Sequence, residues 1–220
     1  MTSEGVCKFC NKTISGRAIK KHISDCKEIK HSQEMEKKLQ KIYTMKAFIE
    51  PFWIYFDIDS KSTLKDIDNF LRNVWLECCG HLSSFEFGNI TYDSDYDGEN
   101  SDGDMKDISL SKVFKPGISS RYQYDFGTTT ELNVECISER IGEIKEIYII
   151  ARNNMPKIKC SKCGKPPTKI CSCCGDLDSI FCDDCTKKNI CLTCKEEDMF
   201  LPIINSPRTG QCGYTGPGDY

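Results

Sequence analysis

FWIYFDIDSKSTLKDIDNFLRNVWLECC, residues 52–79, decides the fold. Six of its first eight residues are apolar or aromatic, the composition of a buried strand. After it, Leu64, Ile67, Leu71, Val74, Trp75 and Cys78 recur at helical spacing, behind Ser62 or Thr63 as a cap. A strand leads into an amphipathic helix. Downstream, HLSSFEFGNITY reads as a strand and LSKVF as a short helical turn. RYQYDF, TELNVECI and EIKEIYIIA add three strands, with Gly127 punctuating the first pair as a hairpin. The pattern predicts an α+β fold in which one main helix packs on a mostly antiparallel sheet. Residues 47–154 are long enough for one core.

Working outward, residues 1–30 form a small finger and 31–46 a polar, Lys- and Glu-rich stretch that predicts a helical linker. Residues 155–195 are cysteine-rich, and 196–220 form an extended tail containing Pro and Gly. Sixteen of the 220 residues are cysteine. The N-terminus, MTSEGVCKFCNK, lacks the apolar core of a signal peptide, and no apolar run reaches a membrane span. We therefore expect a cytoplasmic protein with no membrane contact, whose paired cysteines hold zinc rather than disulfides.

The finger carries Cys7-x2-Cys10-x11-His22-x3-Cys26. Two cysteines on a tight turn, plus His22 and Cys26 on one helix face behind Ser15 or Gly16, give a C2HC zinc arrangement. The second cluster contains four C-x-x-C pairs: Cys160/Cys163, Cys171/Cys174, Cys182/Cys185 and Cys191/Cys194. Four pairs provide for two zinc ions, hence three per chain. In CSCCG, residues 171–175, glycine follows Cys174 as it follows Cys163, and a zinc knuckle favours a permissive residue there. Cys173 is thus the spare. The spacing leaves open whether alternate pairs share a metal, as in B-box- and MYND-like modules, or neighbouring ones do. In either case every position is filled by thiolate, which marks structural rather than hydrolytic zinc.

DSDYDGENSDGD, residues 93–104, begins like a calcium loop. Asn100 replaces the apolar eighth position, Asp104 replaces the final Glu, and a strand rather than a helix precedes it. We read it as an acidic solvated loop, not a calcium site. Cys78, Cys79 and His81 stand together in ECCGHLSSF, with only Asp57 or Cys136 as candidate fourth ligands. The reading adopted is a core cysteine beside a turn histidine. No serine–histidine–carboxylate set, phosphate loop or carboxylate pair is legible, and no small-molecule substrate site either; no catalytic residue is assigned.

FWIYFDID, LKDIDNFLRNVWLECCGHLSSF, YQYDFGTTTEL and the tail LPIINSPRTGQCGY together resemble the plasmid open-reading-frame-three-like domain family, often labelled insertion-element passenger proteins. The resemblance covers about 47–154 as the named domain. The finger, the ARNNMP junction and the tail are similar to an extended subgroup with zinc-binding ends. It implies a compact α+β core and no settled biochemical activity. A resolvase label attached to some members is not carried over. Serine recombination needs several arginines clustered around a nucleophilic serine, and the arginines of the central domain, Arg72, Arg121, Arg140 and Arg152, are scattered along the sequence.

The net charge of −3 conceals an asymmetry: residues 1–46 carry eleven Lys/Arg against five Asp/Glu, residues 47–150 nine against twenty. Lys8, Lys12, Arg17, Lys20, Lys21 and Lys27 surround the finger and are candidate nucleic-acid contacts. The function expected is a non-enzymatic zinc-binding adaptor or regulator whose partner is protein or nucleic acid. The alternative is a nucleic-acid-processing enzyme or accessory factor of a mobile element. The apolar tail residues from Met199 to Ile204 are expected to dock on the central domain, with Arg208 meeting its acidic surface.

Overall fold

The computed structural model describes residues 3–32, 39–175, 178–188 and 190–217. The chain divides into two compact units: Met1–Phe70 with Leu82–Asn154, and Leu71–His81 with Met155–Tyr220.

In the first unit, β1 (Glu4–Cys7) and β2 (Thr13–Ser15) precede α1 (Ile19–Asp25) and α2 (Lys27–Ser32). Then come β3 (Gln40–Ile49), β4 (Phe52–Asp59), α3 (Leu64–Leu71), β5 (Ser83–Phe87), β6 (Ile90–Asp93), α4 (Leu110–Val113), β7 (Ser119–Tyr124), β8 (Thr130–Gly142) and β9 (Tyr148–Asn153). Nine strands form one sheet in the order β2-β1-β9-β4-β3-β8-β7-β5-β6, and every pairing is antiparallel. The α+β class holds.

The 52–59 strand is buried from Phe52 to Ile58, as its composition predicted. Thr63 starts α3 with a capping box. Its Oγ1 accepts the Asp66 amide at 3.3 Å, while the Asp66 carboxylate accepts the Thr63 amide at 2.7 Å and its hydroxyl at 2.9 Å. The helix lies on the sheet through Phe70, whose ring centroid is 4.5 Å from that of Phe56. Asp68, fully buried on α3, accepts hydrogen bonds from Ser83 Oγ and Tyr122 Oη at 2.7 Å each, which ties the helix to β5 and β7.

Four expectations change. Residues 40–46 are not the end of a helical linker but most of β3, a central strand between β4 and β8. Ile42, Tyr43, Thr44 and Met45 are buried consecutively because both faces of the sheet are covered there, so no alternation marks the strand. Residues 33–38 of the expected linker lie outside the described residues. Nor is 1–30 a separate module: β1 pairs with β9, placing Gly5 opposite Asn153. Ile19, Ile23 and Ile29 share one apolar cluster with Trp53, Tyr55 and Ile150. HLSSFEFGNITY is two strands, since Gly88 at φ 65° turns β5 into β6. At the β7–β8 hairpin it is Asp125 that takes positive φ, 66°, and its Oδ1 accepts the Gly127 and Thr128 amides.

The second unit holds a π-helical turn, Arg72–Leu76, and a small sheet of β10 (Lys169–Cys171), β11 (Ile180–Phe181) and β12 (Phe200–Pro202), with β10 central. The tail is extended where it forms β12. Strand β12 pairs with β10, and Ser206 Oγ donates to the Trp75 carbonyl at 2.7 Å. Arg208 is fully buried, with Nη2 3.6 Å from Cys78 Sγ. Among the described residues, no helix is long and apolar enough to cross a membrane.

Candidate metal centres

The finger begins with a knuckle. The Asn11 amide donates to the Cys7 carbonyl at 2.8 Å, the Cys7 amide donates to the Lys12 carbonyl at 3.0 Å, and Asn11 sits at φ 56°. That turn sets Cys7 and Cys10 side by side. Helix α1 starts after Ala18 without a side-chain cap, rather than behind Ser15 or Gly16, and ends at Cys26. The Cys26 amide donates to the His22 carbonyl at 2.8 Å, so the two side chains share a helix face. The ligand atoms of Cys7, Cys10, His22 and Cys26 lie within 4.8 Å of one another, with Cys10 Sγ 3.4 Å from His22 Nε2. A tetrahedral zinc with bonds of about 2.3 Å to sulfur and 2.0–2.1 Å to nitrogen needs an S···N edge of about 3.6 Å. The donor set fits. Partial burial and, next, the Lys12 charge hold the His22 pKa below its ordinary value, favouring the neutral imidazole that ligates.

In the cysteine-rich segment the same knuckle recurs twice with glycine and once without. The Gly164, Gly175 and Lys195 amides donate to the Cys160, Cys171 and Cys191 carbonyls at 2.9, 3.0 and 3.0 Å. Their φ angles are 72°, 66° and 67°. The remaining pair, Cys182/Cys185, sits on a 3-10 turn at Asp183–Thr186. The pairs interleave: Cys160, Cys163, Cys182 and Cys185 form one tetrad, and Cys171, Cys174, Cys191 and Cys194 the other. Cross-pair sulfur distances are 3.6 Å for Cys163–Cys182, 3.7 Å for Cys171–Cys194 and 3.8 Å for Cys174–Cys191. A tetrathiolate zinc site needs edges of about 3.8 Å. Cys173 is exposed and belongs to neither set.

Electrostatics divides the thiols in each tetrad. Burial acts to raise Cys160, but the backbone amides of Cys182, Cys163 and Lys162 outweigh it and bring the thiol down to about 6. Burial likewise opposes ionisation of Cys191, yet the Cys194 and Thr193 amides draw it to about 7. Burial, followed by neighbouring thiols, pushes Cys185 and Cys171 to about 12. Each tetrad therefore holds one thiol that ionises readily beside another that resists ionisation, a frustration that a bound cation removes.

A fourth group was not foreseen as a set. Cys78, Cys79 and His81 are joined by Cys212, and their ligand atoms also lie within 4.8 Å of one another. His81 Nε2 is 3.2 Å and Cys79 Sγ 4.0 Å from Cys212 Sγ. Neither Asp57 nor Cys136 takes part in this group. Four Cys/His tetrads are thus present among the described residues, twelve of their members being the residues picked out by spacing.

Elsewhere, Asp97 accepts the Glu99 and Asn100 amides at 2.9 and 3.3 Å, which folds the 93–104 loop on its own backbone. Lys8, Lys12, Arg17, Lys20, Lys21 and Lys27 are all exposed. Arg17, Lys20 and Lys21 rim a cavity of about 580 Å3 lined also by Asp57 and Arg140, whereas Lys8, Lys12 and Lys27 lie off it.

No family model matches the chain, and no curated protein matches it. Part of the chain matches a solved structure titled "Crystal Structure of Protein of Unknown Function MM3350 from Methanosarcina mazei Go1". The two are 20% identical, with a TM-score of 0.43 over 52% of this chain and 68% of that one.

Proposed function

We propose that this chain is a non-enzymatic, zinc-dependent adaptor or regulator of a reducing, cytoplasmic setting, in which metal centres fix the surfaces that a partner reads. The observation that carries this reading is closure. In the finger and in the cross-brace each tetrad supplies four protein ligands, leaving no open position for water or substrate. All sixteen cysteines are free of disulfides, in keeping with thiols kept for metal. The resemblance of residues 47–154 to insertion-element passenger proteins supports, on this reading, a mobile-element setting.

The partner we favour is nucleic acid, bound weakly and without sequence preference. The basic rim of Arg17, Lys20 and Lys21 supports this, as does Arg140, whose buried Nε and Nη1 have no hydrogen-bond partner among the described residues. The test uses the full zinc-loaded chain, titrated with duplex DNA and RNA at low and physiological salt. With about four phosphates engaged, affinity should fall as roughly the fourth power of salt. The triple variant Arg17→Glu, Lys20→Glu, Lys21→Glu should abolish that dependence. Absence of salt-dependent binding by the wild type would defeat the nucleic-acid partner, and nuclease-resistant capture of a defined protein would establish a protein partner instead.

A further inference from the structure

We propose that Cys78, Cys79, His81 and Cys212 form a fourth zinc site, of Cys3His type, which staples the tail to the end of the π-helical turn. The site uses the same metal as the three centres above but stands on separate residues, so it can fail without them.

The geometry meets the requirements one by one. The S···N and S···S separations of 3.2 and 4.0 Å bracket the tetrahedral edges of about 3.6 and 3.8 Å. The backbone is arranged to deliver the donors. Gly80, at φ 70°, lets the chain reverse between Cys79 and His81. Its amide donates to Glu77 Oε1 at 2.6 Å, and Arg72 Nη2 donates to the His81 carbonyl at 2.6 Å, so both sides of the reversal are held. On the tail, Cys212 itself adopts φ 45°, a left-handed conformation that is strained for a non-glycine residue. That strain needs a return, and ligation is one.

Charge balance points the same way. Three thiolates and one Zn2+ leave a net −1. The guanidinium of Arg208, fully buried, stands 3.6 Å from Cys78 Sγ, where it offsets that charge and hydrogen-bonds a ligand sulfur. A Cys79–Cys212 disulfide is the competing use of these sulfurs. It would leave His81, aimed at Cys212, and Cys78, beside its cation, without a purpose in the cluster.

The experiment is metal counting on the full chain under reducing conditions. Wild type should hold four zinc ions, one per tetrad. Cys212→Ser, at an exposed position, should hold one fewer and lose the tail beyond Pro202 to protease about tenfold faster, as a local opening becomes cheaper. His81→Cys should keep the full count, and its cobalt-substituted form should shift towards tetrathiolate absorption. An unchanged metal count in Cys212→Ser, or a Cys79–Cys212 disulfide in the freshly reduced and metal-loaded protein, would overturn the fourth site. An unchanged count in Cys174→Ser would overturn the tetrad of Cys171, Cys174, Cys191 and Cys194 instead, which separates the two failures.

Discussion

The ring of Trp53 lies where any β-carbon on Gly5 would have to go, and the Arg152 carbonyl closes the same space. Trp53 Nε1 also donates to Ser3 Oγ at 2.6 Å. Strand β1 can join β9 only because residue 5 has no side chain. Gly5→Ala should therefore cost about 1–3 kcal/mol of stability through overpacking, measured by denaturant unfolding of the zinc-loaded chain. A loss under about 0.5 kcal/mol, the usual range of a surface change, would mean that the finger hinges freely off the sheet.

The knuckles make a paired prediction about backbone strain. Gly164 has open space around its missing β-carbon, so Gly164→Ala tests φ alone and should cost about 1–2 kcal/mol. Lys195 adopts the same conformation with a side chain, and Lys195→Gly should recover about 1 kcal/mol. Thermal unfolding of the two variants should move in opposite directions. Equal shifts of one sign would rule out the φ explanation.

Asp57 is buried and relies on two donors, Arg140 Nη2 at 2.6 Å and Thr44 Oγ1 at 2.7 Å. Arg140→Leu would strand that carboxylate and should cost about 3 kcal/mol. Adding Asp57→Asn should restore part of the loss, because the buried charge goes with its partner. A double-mutant cycle measures this coupling, and strict additivity would contradict it.

Burial, aided by Glu139 and Glu135, pushes the Cys136 thiol up to about 12, whereas Cys173 is exposed. At pH 8 only about one Cys136 in ten thousand is thiolate, the reactive form. In the metal-loaded chain, alkylation mapped by mass spectrometry should mark Cys173 early and Cys136 only after unfolding. Because the native thiol holds its proton more tightly than an unfolded one, this residue's contribution to stability is intact below pH 9. It is lost as pH rises towards 12. Modification of Cys136 at a rate matching Cys173 would show that the core is open.

The strand and helix of residues 52–76 were legible because apolar spacing changes there from continuous to helical within a few residues. Eight of the twelve spaced residues were legible because a knuckle is a local object, with both cysteines and the left-handed residue inside five positions, and the other four because each pair sits within about one helical turn. Strand β3 was hidden by its flank: a Lys- and Glu-rich run merges into KIYTMKAFI, whose two-sided burial leaves no alternation to detect. The junction of β1 with β9 rests on Gly5, which carries no side-chain signal. Cys212 could have been suspected from GQCGY, where glycines at 210 and 213 flank a lone cysteine, but its partners lie 131 and 133 residues away. Spacing rules do not reach so far.

Interleaving has a consequence for how the cysteine-rich segment comes together. Closing Cys163 onto Cys182 encloses Cys171 and Cys174 within the loop, while Cys191 and Cys194 stay just outside. Once one metal has drawn that loop shut, most of the chain separating the second tetrad's halves is already folded back. The second closure thus spans a shorter free length and forfeits less conformational freedom than the first. Metal occupancy should therefore rise in pairs as zinc is titrated in, with the singly loaded form sparsely populated. A cell short of zinc would hold this segment either assembled or undone, with little in between.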